Sequence, residues 1–166
     1  MKIAVHDANI IFDIIDGGFA DLWFALGIET HTTELILAEI QEKHQREVID
    51  TYVRAEKLIV DSFDNLSDIV ELHDTTTGLS IQDCSILYLS ERIGAMLLTG
   101  DNRLRKVADN RNIEVHGTLW MLDRLIEAKL LDPIPAIEKL LKLLEINPRL
   151  PQAECQKRIN KWQNTQ

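Results

Sequence analysis

The sequence predicts a three-layer α/β/α protein, in which a central parallel sheet of about five strands lies between helices and is followed by a helical C-terminal extension. Short apolar or β-branched segments alternate with amphipathic helical segments, which is the order of parallel βαβ units. The run AMLLT at residues 95–99 is apolar throughout, as in a strand buried on both faces. After residue 132 the strand pattern stops and four prolines bracket two helical segments, which predicts the extension.

The order of the elements follows from local patterns. Gly17 and Gly18 end the first helix, and Gly27 ends the second. The helix at 81–93 has the clearest limits, with Ser80 as its N-cap and Gly94 after its last turn. We expect strands at 2–5, 28–32, 57–63, 95–99 and 113–117, and helices at 9–16, 19–26, 33–52, 65–75, 81–93, 102–110, 118–131, 136–146 and 152–162.

The chain length fits one domain with a small appendage, since 166 residues can bury one sizeable core. We assign residues 1–130 to an α/β domain, because every predicted strand lies there. Residues 131–166 contain only helical segments and form the extension. We expect this extension to be a lid, a dimer arm or a partner-binding segment.

The composition excludes several classes of protein. No window reaches the 18 or so continuous apolar residues of a membrane span, and the N-terminal segment meets a charge too early for a secretory signal. We therefore expect a cytoplasmic protein with no membrane partner. Cys84 and Cys155 lack a C-x-x-C spacing, and the five histidines lack the spacing of zinc ligands. A disulfide scaffold and a zinc hydrolase are not expected.

The net charge of −9 argues against a protein that binds nucleic acid through its own charge, because phosphate contacts come from lysine and arginine. However, carboxylates that hold divalent cations are neutralised when the site is filled. The formal charge therefore does not exclude a phosphate-containing substrate.

Acidic residues gather where the predicted parallel strands end. Asp7 follows the first strand and Asp101 follows the fourth. Glu34 and Glu39 lie in the helical segment after the second strand, and Asp83 lies in the first turn of the helix before the fourth. Ligands of an open parallel sheet bind at the carboxyl ends of its strands, so these acids are expected to converge at one edge.

Converging carboxylates predict a site for a hard cation. Without a cation between them they repel one another and raise each other's pKa. Oxygen ligands without histidine or cysteine suit Mg²⁺, which is held by one or two carboxylates together with waters and substrate phosphate oxygens. Such an ion can activate water and stabilise an in-line displacement at phosphorus. The chemistry that this site predicts is phosphodiester hydrolysis.

Each acid also has a purely structural interpretation. Asp7 and Asp101 are both in positions typical of helix N-caps. Asp83 follows Ser80 by three residues and could complete a capping box. Glu34 could stabilise the first helical turn through the helix dipole, and Glu39 could be a solvated flank. The functional interpretation depends on the convergence of the set.

The sequence resembles the PIN-domain family, and within it the branch that contains VapC-type toxins and their DUF3368-like relatives. The segment LLTGD after an acid-bearing helix is the most specific motif. The resemblance covers nearly the whole chain, through VHDANIIFDI, TTELILAEI, LSIQDCSILYLSERIGAMLLTGDNRLRKVA, GTLWMLDRLIEAKLL and PIPAIEKLLKLLEINPRLPQAECQKRIN.

The resemblance implies a PIN-like nuclease domain and a Mg²⁺- or Mn²⁺-dependent endoribonuclease. The catalytic and metal-binding acids carried over from the family pattern are Asp7, Glu39, Asp83 and Asp101. Glu34 competes with Glu39, which we prefer because it stands in the LAEI setting, and the resemblance gives Asn9 and Thr99 the task of orienting the acids and a water. The implied partners are an RNA substrate, a small antitoxin protein and a second copy in a homodimer.

One departure and two alternatives remain. Leu104 stands where many family members have an aromatic residue, which leaves the shape of the substrate open. A PIN scaffold without catalytic activity, which binds a protein or RNA, is the main alternative function. A dehalogenase-like or receiver-like phosphotransfer protein is disfavoured, because Asn9 replaces the second aspartate of the former and His116-Gly117 the late lysine of the latter.

Overall fold

The structure is a computed structural model that describes residues 2–164. Its strands are β1 (Ile3–His6), β2 (Glu29–Thr33), β3 (Ile59–Asp61), β4 (Met96–Leu98) and β5 (Val115–His116). Its helices are α1 (Ala8–Asp16), α2 (Ala20–Phe24), α3 (Glu34–Glu39), α4 (Lys43–Arg54), α5 (Ser67–Thr75), α6 (Ile81–Ile93), α7 (Asn102–Asn110), α8 (Thr118–Glu127), α9 (Pro133–Ile146) and α10 (Gln152–Gln163).

The strands form one parallel sheet in the order β3-β2-β1-β4-β5. The chain therefore winds outward from the central strand β1, first towards β3 and later towards β5. In the register, Ala4 lies opposite Thr30 on one side and Met96 on the other. Because all strands point the same way, their carboxyl ends lie at one edge, and the predicted α/β/α fold with five parallel strands is confirmed.

Helix α6 confirms the local signals of the sequence. The Ser80 hydroxyl accepts the N–H of Asp83, and the Asp83 carboxylate accepts the N–H of Ser80, so the capping box is complete. Gly94 ends the helix with φ 65°, in the left-handed region that glycine adopts without strain.

The single helix expected at 33–52 is wrong, because the chain forms two helices there. Ile40 takes an extended conformation after α3, which buries its side chain in the core. The Glu42 carboxylate then accepts the N–H groups of His44 and Gln45 and starts α4 as a new helix. The strands are also shorter than expected at 57–63 and 113–117, since only 59–61 and 115–116 pair with a neighbour.

The hydrophobic core has one cluster on each face of the sheet. The adjacent residues Ala4 and Val5 of β1 belong to different clusters, because successive side chains of a strand point to opposite faces. Helices α3 to α7 cover the Val5 side, while α8 to α10 cover the Ala4 side. Within residues 2–164, none of the helices is long and apolar enough to cross a membrane.

The C-terminal helices α9 and α10 share the cluster on the Ala4 side. Leu140 and Leu143 of α9 and Trp162 of α10 are buried within it. At the periphery, Arg158 Nε donates to Asp123 of α8 at 2.9 Å. The expected division into residues 1–130 and 131–166 stays a prediction, and the extension packs on the α/β layers through this common core.

Candidate active site

Asp7 follows β1 at the carboxyl edge of the sheet and is 5% exposed. The Thr99 hydroxyl, at the end of β4, donates to Asp7 Oδ2 at 2.7 Å. The pKa of Asp7 is raised to about 6, mainly by burial and in part by the Asp83 carboxylate, while the Thr99 hydroxyl and the N–H groups of Ala8 and Asn9 oppose the shift. Asp7 occupies the N-cap position of α1, yet its side chain forms no cap hydrogen bond. The hydrogen bond that holds this buried carboxylate comes from Thr99 and not from a helix cap.

Asp101 is connected to Asp7 through Thr99. The Asp101 N–H donates to the Thr99 hydroxyl at 3.0 Å, and that hydroxyl donates to Asp7. The Asp101 side chain caps α7, because its Oδ1 accepts the N–H groups of Arg103 and Leu104. No donor among residues 2–164 contacts Oδ2 of this exposed carboxylate. Its role as a cap and a role in binding a cation are therefore compatible.

Asp83 interacts electrostatically with two of the other acids. Its carboxylate raises the pKa of Asp7 and the pKa of Glu39, so both side chains lie within electrostatic reach of Asp83. In the capping box the Ser80 N–H contacts only its Oδ2, at 2.9 Å. As with Asp101, the helix cap uses one carboxylate oxygen of Asp83 and leaves the other available to a cation.

Glu39 is the last residue of α3 and is exposed at its side chain. Partial burial is the main cause that raises its pKa, and the Asp83 carboxylate adds to it. Glu34, at the other end of α3, instead accepts the Phe63 N–H at 3.4 Å. Of the two glutamates, the structure gives Glu39 the electrostatic contact with Asp83.

Two residues that the sequence did not single out align α3 with α6. The hydroxyls of Thr33 and Ser85 share a buried hydrogen bond at 2.8 Å, and the Thr33 hydroxyl also caps α3 by accepting the Ile36 N–H. Glu39 and Asp83 lie on the two helices that this bond connects. A serine two residues after Asp83 and a threonine before α3 were the only local signals.

The four candidate acids offer only carboxylate oxygens as ligands for a divalent cation. Within residues 2–164, no three side chains of histidine, cysteine, aspartate or glutamate are close enough to hold a metal ion by themselves. The oxygen-only donors, with Asp7 within electrostatic reach of the Asp83 carboxylate, nevertheless fit a hard cation that keeps several of its waters, as Mg²⁺ does. Asp7, Glu39, Asp83 and Asp101 would hold it, and their roles stay a prediction.

The basic residues after Asp101 are engaged with the protein backbone. Arg103 donates to the Gly78 carbonyl at 3.1 Å, whereas Arg105 donates to the carbonyls of Thr99 and Val115. Lys106 is exposed on α7.

The resemblance implied that Asn9 and Thr99 orient the acids. Asn9 is exposed at the start of α1, whereas the Thr99 hydroxyl contacts the carboxylate of Asp7 and the N–H of Asp101.

Comparisons with known proteins agree with this architecture. The family model DUF3368, described as a PIN domain, matches residues 3–164. The crystal structure of PAE2754 from Pyrobaculum aerophilum is similar with a TM-score of 0.54 and 16% sequence identity, over 76% of this chain and 98% of that chain. At this identity the likeness concerns the fold alone. No curated protein matches the sequence of this chain.

Proposed function

Because this chain belongs to the PIN-domain family, whose members are generally nucleases and typically use divalent metal ions, we propose that it is a Mg²⁺- or Mn²⁺-dependent endoribonuclease. The observation that carries the proposal is Asp7, a buried carboxylate at the sheet edge within electrostatic reach of a second carboxylate, Asp83. Burying one charge beside another of the same sign destabilises a fold, so a cation at this position explains the arrangement best.

The side chains divide the work of the proposed site. Asp7 and Asp83 would bind the cation, and Glu39 and Asp101 would complete its negative surroundings from α3 and from the start of α7. Thr99 holds Asp7 in place and keeps its Oδ2 in a fixed orientation through a hydrogen bond at 2.7 Å. When bound, the ion would polarise the phosphodiester and make water a usable nucleophile near neutral pH.

We extend the proposal to the biological setting that the sequence resemblance implies, a cytoplasmic toxin paired with a small antitoxin protein. In this proposal the chain forms a homodimer, and the exposed apolar side chains of α9 support a protein interface. Ile134 and Leu141 lie on this helix and are 48% and 49% exposed. Size measurements in solution, alone and with the product of a neighbouring gene, test the homodimer and the antitoxin complex.

The ribonuclease proposal is tested by incubating the chain with labelled RNA and Mg²⁺ or Mn²⁺. Asp7→Asn and Asp101→Asn should each abolish cleavage, while Asp109→Asn should retain it. Asp109 is an exposed aspartate of the same helix α7 and serves as the matched control. Asparagine caps helices as well as aspartate does, so the Asp101 variant should stay folded. Cleavage that survives both substitutions would refute the proposal.

A PIN scaffold without catalytic activity is the second candidate. It is favoured by the helix-cap hydrogen bonds that the Asp83 and Asp101 carboxylates accept from backbone N–H groups, and by the lack, within the described residues 2–164, of three side chains arranged to hold a metal. If the chain is a scaffold, it should show no metal-dependent cleavage of RNA and no stabilisation by Mn²⁺. If it is a ribonuclease, it should show both the cleavage and the stabilisation, since a ligand of the native state raises its stability.

A further inference from the structure

A stack of flat side chains lies at the same sheet edge as the acids. His116 is the last residue of β5, and its imidazole is parallel to the indole of Trp120 in α8, with ring centroids 4.0 Å apart and an interplanar angle of 8°. The Arg124 guanidinium also lies over the indole, 5.5 Å from its centroid. The proposed hydrolysis uses none of these three side chains.

The orientation of the His116 ring is held from two directions. Glu114 Oε1 lies 2.7 Å from His116 Nε2, in hydrogen-bond contact with the imidazole. Behind the imidazole, Trp120 packs edge to face on Trp23, which is completely buried. A ring that is already ordered loses little entropy when a ligand stacks on it.

The stack is connected to the acids through Thr99. The Thr99 N–H donates to the His116 carbonyl at 3.0 Å, while the Thr99 hydroxyl donates to Asp7. Because Leu98 lies opposite His116 in the register, the imidazole and Asp101 belong to the ends of adjacent strands, and Asp7 follows the next strand of the sheet. Arg105 donates to the carbonyls of Thr99 and Val115, which places a positive charge at the carboxyl ends of β4 and β5.

An RNA strand at Asp7 needs a source of affinity other than net charge, which is −9. Unpaired bases stack on flat side chains, and this contact does not depend on the formal charge of the protein. The His116 side chain remains 24% exposed although Trp120 covers one face. We infer that His116, supported by Trp120, is a stacking platform for one unpaired nucleobase of the RNA strand that is cut at Asp7.

This inference rests on the proposed ribonuclease function and makes the substrate single-stranded at the platform, because a paired base inside a helix cannot stack on a side chain. It is tested with the full-length chain and a short, labelled single-stranded RNA. Binding is measured by fluorescence anisotropy in an Asp7→Asn background, and the KM and kcat of cleavage are measured with Asp7 intact.

His116→Ala should weaken RNA binding and raise KM about tenfold, with little change in kcat, because base stacking contributes to binding at this scale. His116→Phe should restore most of the affinity, since a phenyl ring can stack. His73→Ala is the matched control, because His73 is an exposed histidine of α5 next to an aspartate, and it should bind RNA normally. If His116 had a purely structural role, His116→Ala would lower the thermal stability and would not raise KM while leaving kcat nearly unchanged.

A second measurement uses RNAs in which one nucleotide at a time lacks its base. With His116 present, one position should show about a tenfold loss of affinity, and with His116→Ala that position should show no further loss. Equal binding of all these RNAs, or normal binding by folded His116→Ala, overturns the platform while cleavage by the unaltered chain preserves the ribonuclease. Failure of the unaltered chain to bind or cleave RNA overturns both proposals.

Discussion

Asp7 and Asp13 are two buried aspartates near the same helix that differ in how their charge is compensated. Both accept a threonine hydroxyl from a distant segment, Thr99 for Asp7 and Thr118 for Asp13, and burial raises the pKa of both. Asp13 also accepts the amide of Asn147 at 2.9 Å, so two donors from other elements compensate its charge. Both also have a like-charged neighbour that raises the pKa, but that of Asp13 is Asp16 on its own helix, whereas that of Asp7 is Asp83 on α6.

The difference shows that a buried acid with a raised pKa is not by itself a sign of catalysis. Asp13 joins α1 to the start of α8 and to the end of α9, which is a structural task that hydrogen bonds complete. Asp7 has a neighbour of the same charge on another helix, and only a cation or a proton relieves that repulsion.

The largest expected effect is the loss of cleavage in Asp7→Asn, by at least about a hundredfold, because a neutral amide replaces a carboxylate at the proposed cation site. The same substitution should raise the stability of the metal-free protein at pH 7.5. A pKa of about 6, against an ordinary value of 3.8, corresponds to about 2 to 3 kcal/mol. Urea unfolding of the two proteins measures this gain, and a variant less stable than the natural chain would contradict the explanation.

The gain in Asp7→Asn should depend on pH with a defined sign. Between pH 3.8 and about 6 the native state of the unsubstituted chain holds the Asp7 proton while the unfolded state has lost it. Its free energy of unfolding therefore falls through this window, relative to that of the variant, as pH rises. Unfolding at several pH values should show a difference that is smallest near pH 4 and constant above pH 7.

Asp13→Ala should have the opposite profile, with a loss of about 2 kcal/mol and normal cleavage per folded molecule. The substitution leaves the Thr118 hydroxyl and the Asn147 amide without their acceptor in a buried position, which destabilises the fold. Thermal unfolding and cleavage measured below the unfolding transition separate the two effects. Asp109→Asn serves again as the control. If Asp13→Ala lost activity while keeping its full stability, Asp13 would belong to the active site and its structural assignment would be wrong.

A smaller effect is expected from Mn²⁺ at millimolar concentration. It should stabilise the unsubstituted chain by about 1 kcal/mol when its concentration is about five times the dissociation constant. Asp13→Ala should show the same gain, whereas Asp7→Asn should show little. Thermal melts at constant ionic strength, with EDTA as the reference, measure the shift. Equal stabilisation of all three proteins would mean that Mn²⁺ binds elsewhere.

The smallest effect is the change in the pKa of Asp7 that Asp83→Asn should cause, a decrease from its value of about 6. Removing the charge of Asp83 removes one cause of the shift, but burial is the larger cause and remains. The amide oxygen of asparagine can still accept the Ser80 N–H, so α6 should keep its cap. Carboxyl NMR titration measures the pKa of Asp7, while the pKa of Asp13 should stay unchanged.

The sequence allowed accurate prediction wherever a signal is local. The ends of α6 could be read from Ser80, Asp83 and Gly94, because a cap joins residues a few positions apart. The break between α3 and α4 could not, since it depends on the burial of Ile40 in the core as well as on Glu42. Likewise, both interpretations of Asp83 and Asp101 were open in sequence, and the structure shows that the capping interpretation holds for both.

By itself, the sequence determined the order of strands and helices apart from the break between α3 and α4, the parallel sheet, and the position of Asp7 and Asp101 after strand ends, because these follow from periodicity and from residues close in the chain. Only the tertiary structure decided that Asp7 is buried without a cap, and that Asp13 has a structural role. The bond from Thr99 to Asp7 spans 92 residues and the bond from Thr118 to Asp13 spans 105. Such contacts arise when packed layers bring distant segments together, and no local pattern specifies them.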